Sequence, residues 1–186
     1  MNKDEVDLLF DAQTISKRIS SLGCAIAKNE PSDLFVVVIL KGSFVFAADL
    51  IRAIEDAGTS TKVDFITLSS YGSGYESSGT VKLVHDLSES VKGRTVLIVD
   101  DILESGRTIA FARDTMRKRQ AKTVKTCLLL DKPKKRIVDI EADYLGFKIE
   151  DQFVVGYGID LANRYRGLPF LGVVPSGLDQ TSIEKI

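Results

Sequence analysis

Apolar positions along the chain change their spacing several times, and each change marks an element. Asp11 can cap a helix in which Ile15, Ile19, Leu22 and Ile26 recur at i, i+4, i+7 and i+11, and Pro31 ends it. Leu34 to Leu40 is an unbroken, largely branched apolar run, the pattern of a strand covered on both faces in a parallel sheet. Lys41-Gly-Ser43 then turns the chain into a helix over 44–57, closed by Gly58. Further strands are predicted over 63–68, 95–99 and 124–130, with a strand-like stretch from Thr80 to Asp86. A helix over 107–120 carries Ile109, Ala112 and Met116 on one face. Strand and helix alternate, so an α/β doubly wound sheet is expected. The last third is choppier: 144–147, 153–158 and 172–174 read as short strands that form either a small antiparallel cap or a sheet edge.

Composition narrows the function classes. A chain of 186 residues without repeats or a long linker predicts one domain. With 25 basic and 26 acidic side chains there is no global attraction to nucleic acid or to an anionic membrane. The Leu34–Leu40 run falls far short of the ~20 residues that span a bilayer. The first residues show no signal pattern, so a cytoplasmic protein is expected. Cys24 and Cys127 make no metal spacing and are read as two buried thiols.

The single histidine excludes more than the charge does. Zinc sites needing several histidines cannot be completed, and His85, in a strand-like stretch without a nucleophile motif, reads as a polar strand-end residue. The acids and bases of any enzyme here are therefore carboxylates or lysines. Charge is also uneven: 113–136 holds ten Lys/Arg against two Asp, and 139–160 six acids against one Lys. No aromatic residue interleaves the basic stretch, as a single-stranded nucleic-acid platform would require.

In an open α/β sheet ligands bind at the carboxyl ends of strands, which makes Val96-Leu-Ile-Val-Asp-Asp-Ile-Leu-Glu-Ser-Gly-Arg-Thr-Ile109 the informative segment. Four apolar residues deliver Asp100 and Asp101 to a strand end. Like charges this close repel and invite a cation or a polyol. Glu104 follows, and Ser105-Gly-Arg-Thr108 opens a helix whose backbone N–H groups and dipole suit a phosphate. Together these features suit a phosphorylated sugar. No Gly-x-x-x-x-Gly-Lys-[Ser/Thr] run is present, and Gly72-x-Gly74 and Gly156-x-Gly158 lack a dinucleotide fingerprint. The Ser69–Gly79 stretch, rich in serine and glycine, is either a solvated hairpin connection or a lid.

Val-Asp-Asp-Ile-Leu-Glu-Ser-Gly-Arg-Thr resembles the phosphoribosyl-pyrophosphate motif of the type I phosphoribosyltransferases. Leu40-Lys-Gly42, Ser70-Tyr-Gly72, Leu130-Asp-Lys132 and Phe153-Val-Val-Gly-Tyr-Gly-Ile-Asp160 extend the resemblance to the hypoxanthine/guanine branch, over about 11–174. It implies a central, mainly parallel sheet flanked by helices (about 34–145) with a small hood from about 1–12 and 146–186. It also implies site roles. Asp100 and Asp101, followed by Ile102, would bind the ribose hydroxyls, and Glu104, Ser105, Gly106, Arg107 and Thr108 would enclose the 5-phosphate. Lys41 and Gly42 would contact pyrophosphate, in a loop where the family often has a non-proline cis peptide. Lys132 would read the purine 6-oxo group, Phe153 would stack on the base, and the Val154 carbonyl would face its 2-position. Asp160 with Asp100 would hold Mg2+, Arg166 would neutralise pyrophosphate, and Ser70 and Tyr71 would sit on a closing loop. Substrates would be phosphoribosyl pyrophosphate and a 6-oxopurine, in a homodimer or homotetramer.

Glu104 departs from the family's usual Asp at the position of the general base, and the resemblance implies that it keeps the role. Without the family, Lys132 reads as a surface lysine and Phe153 as a core aromatic. Xanthine or a pyrimidine remains an alternative base. An RNA-binding regulator retaining this fold is the alternative from another class.

Overall fold

The computed structural model describes residues 6–70 and 81–175. Six strands form the main sheet in the order β4-β3-β2-β5-β6-β7. These are β2 (Asp33–Leu40), β3 (Ser60–Ser70), β4 (Val81–His85), β5 (Thr95–Leu103), β6 (Thr123–Asp131) and β7 (Tyr144–Lys148). All neighbours pair in parallel except β3 and β4. A second, three-stranded antiparallel sheet in the order β1-β9-β8 joins the two ends of the described chain. Its strands are β1 (Asp7–Phe10), β8 (Val154–Val155) and β9 (Leu171–Val173). The helices are α1 (Ala12–Asn29), α2 (Phe44–Asp56) and α3 (Arg107–Lys118), and none among the described residues is long and apolar enough to cross a membrane.

Alternation within the buried strands builds a core on each face of the sheet. Leu34, Val36 and Val38 pack with Leu97 and Val99 beneath α1 and α2, while Phe35, Val37 and Ile39 pack with Val96 and Ile98 beneath α3. Both sets are fully or almost fully buried, which is why these strands read as continuous apolar runs. Each such side chain contributes on the order of 1.5–3 kcal/mol by leaving water. Asp11 caps α1 as its position predicts, accepting a 2.7 Å hydrogen bond from the Thr14 N–H. Ile15, Ile19, Leu22 and Ile26 form the buried stripe. Gly23 lets α1 approach α2 closely, for a Cβ there would lie 2.6 Å from the Ala53 carbonyl carbon.

Two expectations change. Cys127 is buried, but Cys24 is exposed. It follows Gly23 around the helix, off the stripe that faces the sheet. The choppy last third also divides between two sheets. β7 is a parallel edge strand of the main sheet, with Gly146 pressed against the Leu129 carbonyl, whereas β8 and β9 belong to the small antiparallel sheet.

Candidate active site

β5 ends in the acid pair. Alternation sends Asp100 to the α3 face, with Val96 and Ile98, and Asp101 to the other, with Leu97 and Val99. Asp100 is 7% exposed, and its Oδ1 accepts from the Asp101 N–H at 3.0 Å. Burial, and then the neighbouring charge, raise the Asp100 carboxyl well above the usual carboxylate range. Burial also raises Asp101, with the Arg166 guanidinium working in the opposite direction. Two adjacent acids that resist ionisation are a costly arrangement of the kind that clusters at functional sites.

The turn after β5 is built for close approach. Gly106 sits at φ +84 before α3, and the Ser105 hydroxyl accepts from the Arg107 N–H at 3.4 Å. A Cβ at Gly106 would meet Ile140 and the Val138 carbonyl. The Ser105 carbonyl accepts from Ile137 and Val138 N–H at 3.0 and 2.9 Å, which braces the loop from behind. Arg136 packs against the same glycine and forms an ion pair with Asp131. Asp100, Asp101, Ile102, Glu104, Ser105, Gly106, Arg107 and Thr108 line one cavity of about 360 Å³, within the range of small-molecule sites. A larger hollow of about 640 Å³ lies between α1, α2 and residues 166–169, and the acid pair is not in its wall. The smaller cavity is the site, because the convergent polar groups are there.

Lys132 is 5% exposed, and its ammonium forms an ion pair with Glu104. The reading as a surface lysine therefore fails. The Lys132 N–H donates to the Leu103 carbonyl at 2.9 Å, continuing the β5–β6 pairing and fixing the lysine beside the loop. Phe153 is 48% exposed, a free ring face and not a core aromatic. Val154, next in the chain, is buried in β8.

The residues expected at the pyrophosphate lie on distant segments outside the lining of the acid-pair cavity, and Arg166 lines the larger hollow. The Leu40–Lys41 peptide is cis, and Lys41 is exposed. A Cβ at Gly42 would overlap the Asp101 carboxylate, and one at Gly158 would overlap the Gly42 carbonyl oxygen. The Asp101 carboxylate thus meets the bare backbone of Gly42, and Gly42 meets the bare backbone of Gly158. The Arg166 guanidinium donates to the Gly158 carbonyl at 2.8 Å and pairs with Asp160 at 2.6 Å. Asp160 also accepts from the Asn163 N–H at 2.8 Å. Ser70 ends β3 opposite Val81, and Tyr71 lies outside the described residues. Gly158, Arg136 and the Tyr157–Asp49 hydrogen bond were not singled out by local sequence pattern.

A family model, the phosphoribosyl transferase domain, matches residues 6–161. The chain belongs to the phosphoribosyl transferase family. Among its relatives in that family, the hypoxanthine phosphoribosyltransferase of Escherichia coli (strain K12) is 45% identical over 175 residues, spanning 92% of this chain and 97% of the relative. The hypoxanthine-guanine phosphoribosyltransferase of Bacillus subtilis (strain 168) is 44% identical over 176 residues, 94% of this chain and 96% of the relative. A crystal structure of a hypoxanthine-guanine phosphoribosyltransferase from Bacillus anthracis superposes with a TM-score of 0.86 at 43% identity, covering 92% of this chain and all of that one. The matched residues include the acid pair, the Gly106 turn and the start of α3.

Proposed function

We infer that this enzyme moves the 5-phosphoribosyl group from phosphoribosyl pyrophosphate to hypoxanthine or guanine, a purine-salvage reaction. The observation that carries the base assignment is the buried Lys132 paired with Glu104 at the rim of the acid-pair cavity. An ammonium has only donors to offer, so it favours an oxo group and meets a 6-amino group donor to donor. Asp100 and Asp101 accept from the ribose hydroxyls, and Ser105 to Thr108 with the helix start hold the 5-phosphate. Phe153 offers its exposed ring to the base, and the Val154 carbonyl its acceptor to the 2-position.

In the reaction the bond from ribose C1 to pyrophosphate oxygen breaks and a bond from C1 to a purine nitrogen forms, through an oxocarbenium-like state. Glu104 accepts or stabilises the proton at N7 on the purine's five-membered ring. Lys41, Gly42 and Arg166 receive the pyrophosphate, whose growing charge Arg166 offsets.

Mg2+ is the implied cofactor. No group of three or more His, Cys, Asp or Glu side chains that would hold a metal occurs among the described residues. Asp160 with Asp100 would supply carboxylates to such an ion, which takes its remaining ligands from substrate oxygens. When bound, Mg2+ neutralises charge on the leaving pyrophosphate. A homodimer or homotetramer is supported by Val63 and Phe65, which are exposed on the sheet face they share with Val36 and Val38.

The deciding experiment supplies the ribosyl donor and Mg2+ with hypoxanthine, guanine, xanthine and uracil in turn and follows nucleotide formation. Product with hypoxanthine or guanine is expected, and no product with any oxopurine would refute the assignment. Product with uracil alone would move the activity to a pyrimidine.

A further inference from the structure

We propose that Asp49 and Tyr157 are positioning residues that hold the two pyrophosphate-side walls of the site at a fixed separation. This rests on the reading above that Lys41, Gly42, Asp160 and Arg166 receive pyrophosphate. Tyr157 is buried at φ +49, between Gly156 at φ +97 and Gly158 at φ +101. Three consecutive residues thus take the left-handed conformation, and the middle one has a side chain that disfavours it. The flanking glycines cannot yield. A Cβ at Gly156 would overlap the Phe170 carbonyl oxygen, and one at Gly158 the Gly42 carbonyl oxygen.

The backbone of this segment sets the position of Arg166. The Tyr157 N–H donates to the Leu168 carbonyl and the Gly158 N–H to the Arg166 carbonyl, both at 2.9 Å. The Arg166 side chain returns to the Gly158 carbonyl and to Asp160. A displacement at Tyr157 is therefore passed to both groups assigned to the pyrophosphate side.

What holds Tyr157 from the other side is one hydrogen bond, from its phenol to the Asp49 carboxylate. Burial, and then the hydrogen bond to Asp49 and its charge, push the phenol's ionisation upward, so it remains a neutral donor. Asp49 belongs to α2, which begins directly after Lys41-Gly-Ser43. The buried Ser43 hydroxyl donates to the Ile39 carbonyl and locks that turn to the end of β2. The Lys41–Gly42 loop is thus rigidly continuous with the helix that carries Asp49. One side-chain bond and one backbone contact tie it to the segment bearing Asp160 and Arg166. The other partner of Asp49 is Arg52, whose side chain is 70% exposed, an ion pair at the surface with little to contribute.

The test compares wild type with Y157F, D49A and D49N, measuring KM separately for the ribosyl donor, for pyrophosphate in the reverse direction, and for the purine at saturating donor. A lost hydrogen bond to a charged group is of the order that changes affinity tenfold. Y157F and D49A are expected to raise KM for donor and pyrophosphate about tenfold while purine KM stays within about twofold. D49N keeps an oxygen acceptor and is expected to recover most of the loss. Y157F differs from wild type by one oxygen, and a thermal melt verifies that it folds. Equal rises in donor and purine KM, or an unchanged donor KM in folded Y157F, would overturn the proposal. So would a D49N variant as impaired as D49A. Wild type without product from any oxopurine would instead refute the underlying activity, so the two failures are distinguishable.

Discussion

Asp100 carries its carboxyl to a place with almost no water, and the consequence is measurable without substrate. Its folded pKa lies well above the ordinary 3.8. Below 3.8 both folded and unfolded chains hold the proton and nothing is lost. As pH rises from 3.8 through the raised folded value, the unfolded chain releases its proton first and stability falls. At neutral pH the buried acid is thus a net cost. Asp100→Asn, whose amide oxygen can still accept from the Asp101 N–H, should raise the melting temperature at pH 7 by a few degrees, about 1 kcal/mol, and leave it unchanged below pH 4. Glu104 and Lys132 form the second pair with separable roles. Glu104→Gln should lower turnover roughly 100-fold with little change in donor binding, because proton handling is lost along with the ion pair to Lys132. Lys132→Ala should raise purine KM more than donor KM. Steady-state kinetics with each substrate varied checks both, and equal losses would mean that the base-reading role is misassigned.

At the level of elements, the site depends on backbones that touch. Gly42→Ala would place a methyl group on the Asp101 carboxylate and force β5 or the Lys41 loop to move. A displacement near 1 Å can cost ~100-fold in rate, so activity should fall by at least that much, and a melting curve would show whether the fold survives. The elements themselves were largely legible. α1 was announced by its cap and its 3.6-residue stripe, β2 and β5 by branched apolar runs, and the anion-binding turn by two acids and a glycine at a strand end. The acid pair was readable because its whole chemistry lies within nine residues, 100–108. The Lys132–Glu104 pair spans 28 positions and the Tyr157–Asp49 bond 108, so no local period encodes them. β7 was ambiguous for a similar reason. Its parallel register comes from Gly146 lying flat on Leu129, a contact between segments that five residues of apolar sequence cannot specify. Cys24 was misjudged because cysteine's usual burial outweighed its place off the helix stripe.

On the scale of the molecule, the proposed site draws on two sheets: the main sheet supplies the acid pair and the Gly106 turn, and the small sheet is continuous with the segment holding Phe153, Asp160 and Arg166. A ligand contacting both should stabilise the whole fold. Donor with Mg2+ at about 100 times its dissociation constant should contribute ~2.7 kcal/mol, a rise of roughly 5–10 °C in melting temperature. Removing Mg2+ with a chelator should abolish most of that rise, and a shift indifferent to the chelator would argue against a metal-bridged donor. The meeting of Asp101, Gly42 and Gly158 also bears on how such a site can change by descent. Most binding walls drift through graded substitutions, each side chain a little larger or smaller than the last. Here the partners are a carboxylate and two bare backbones at contact distance, so no slightly altered neighbour exists at Gly42 or Gly158. The exposed Phe153 ring and the reach of Glu104 can be changed step by step, while this junction admits only retention or loss.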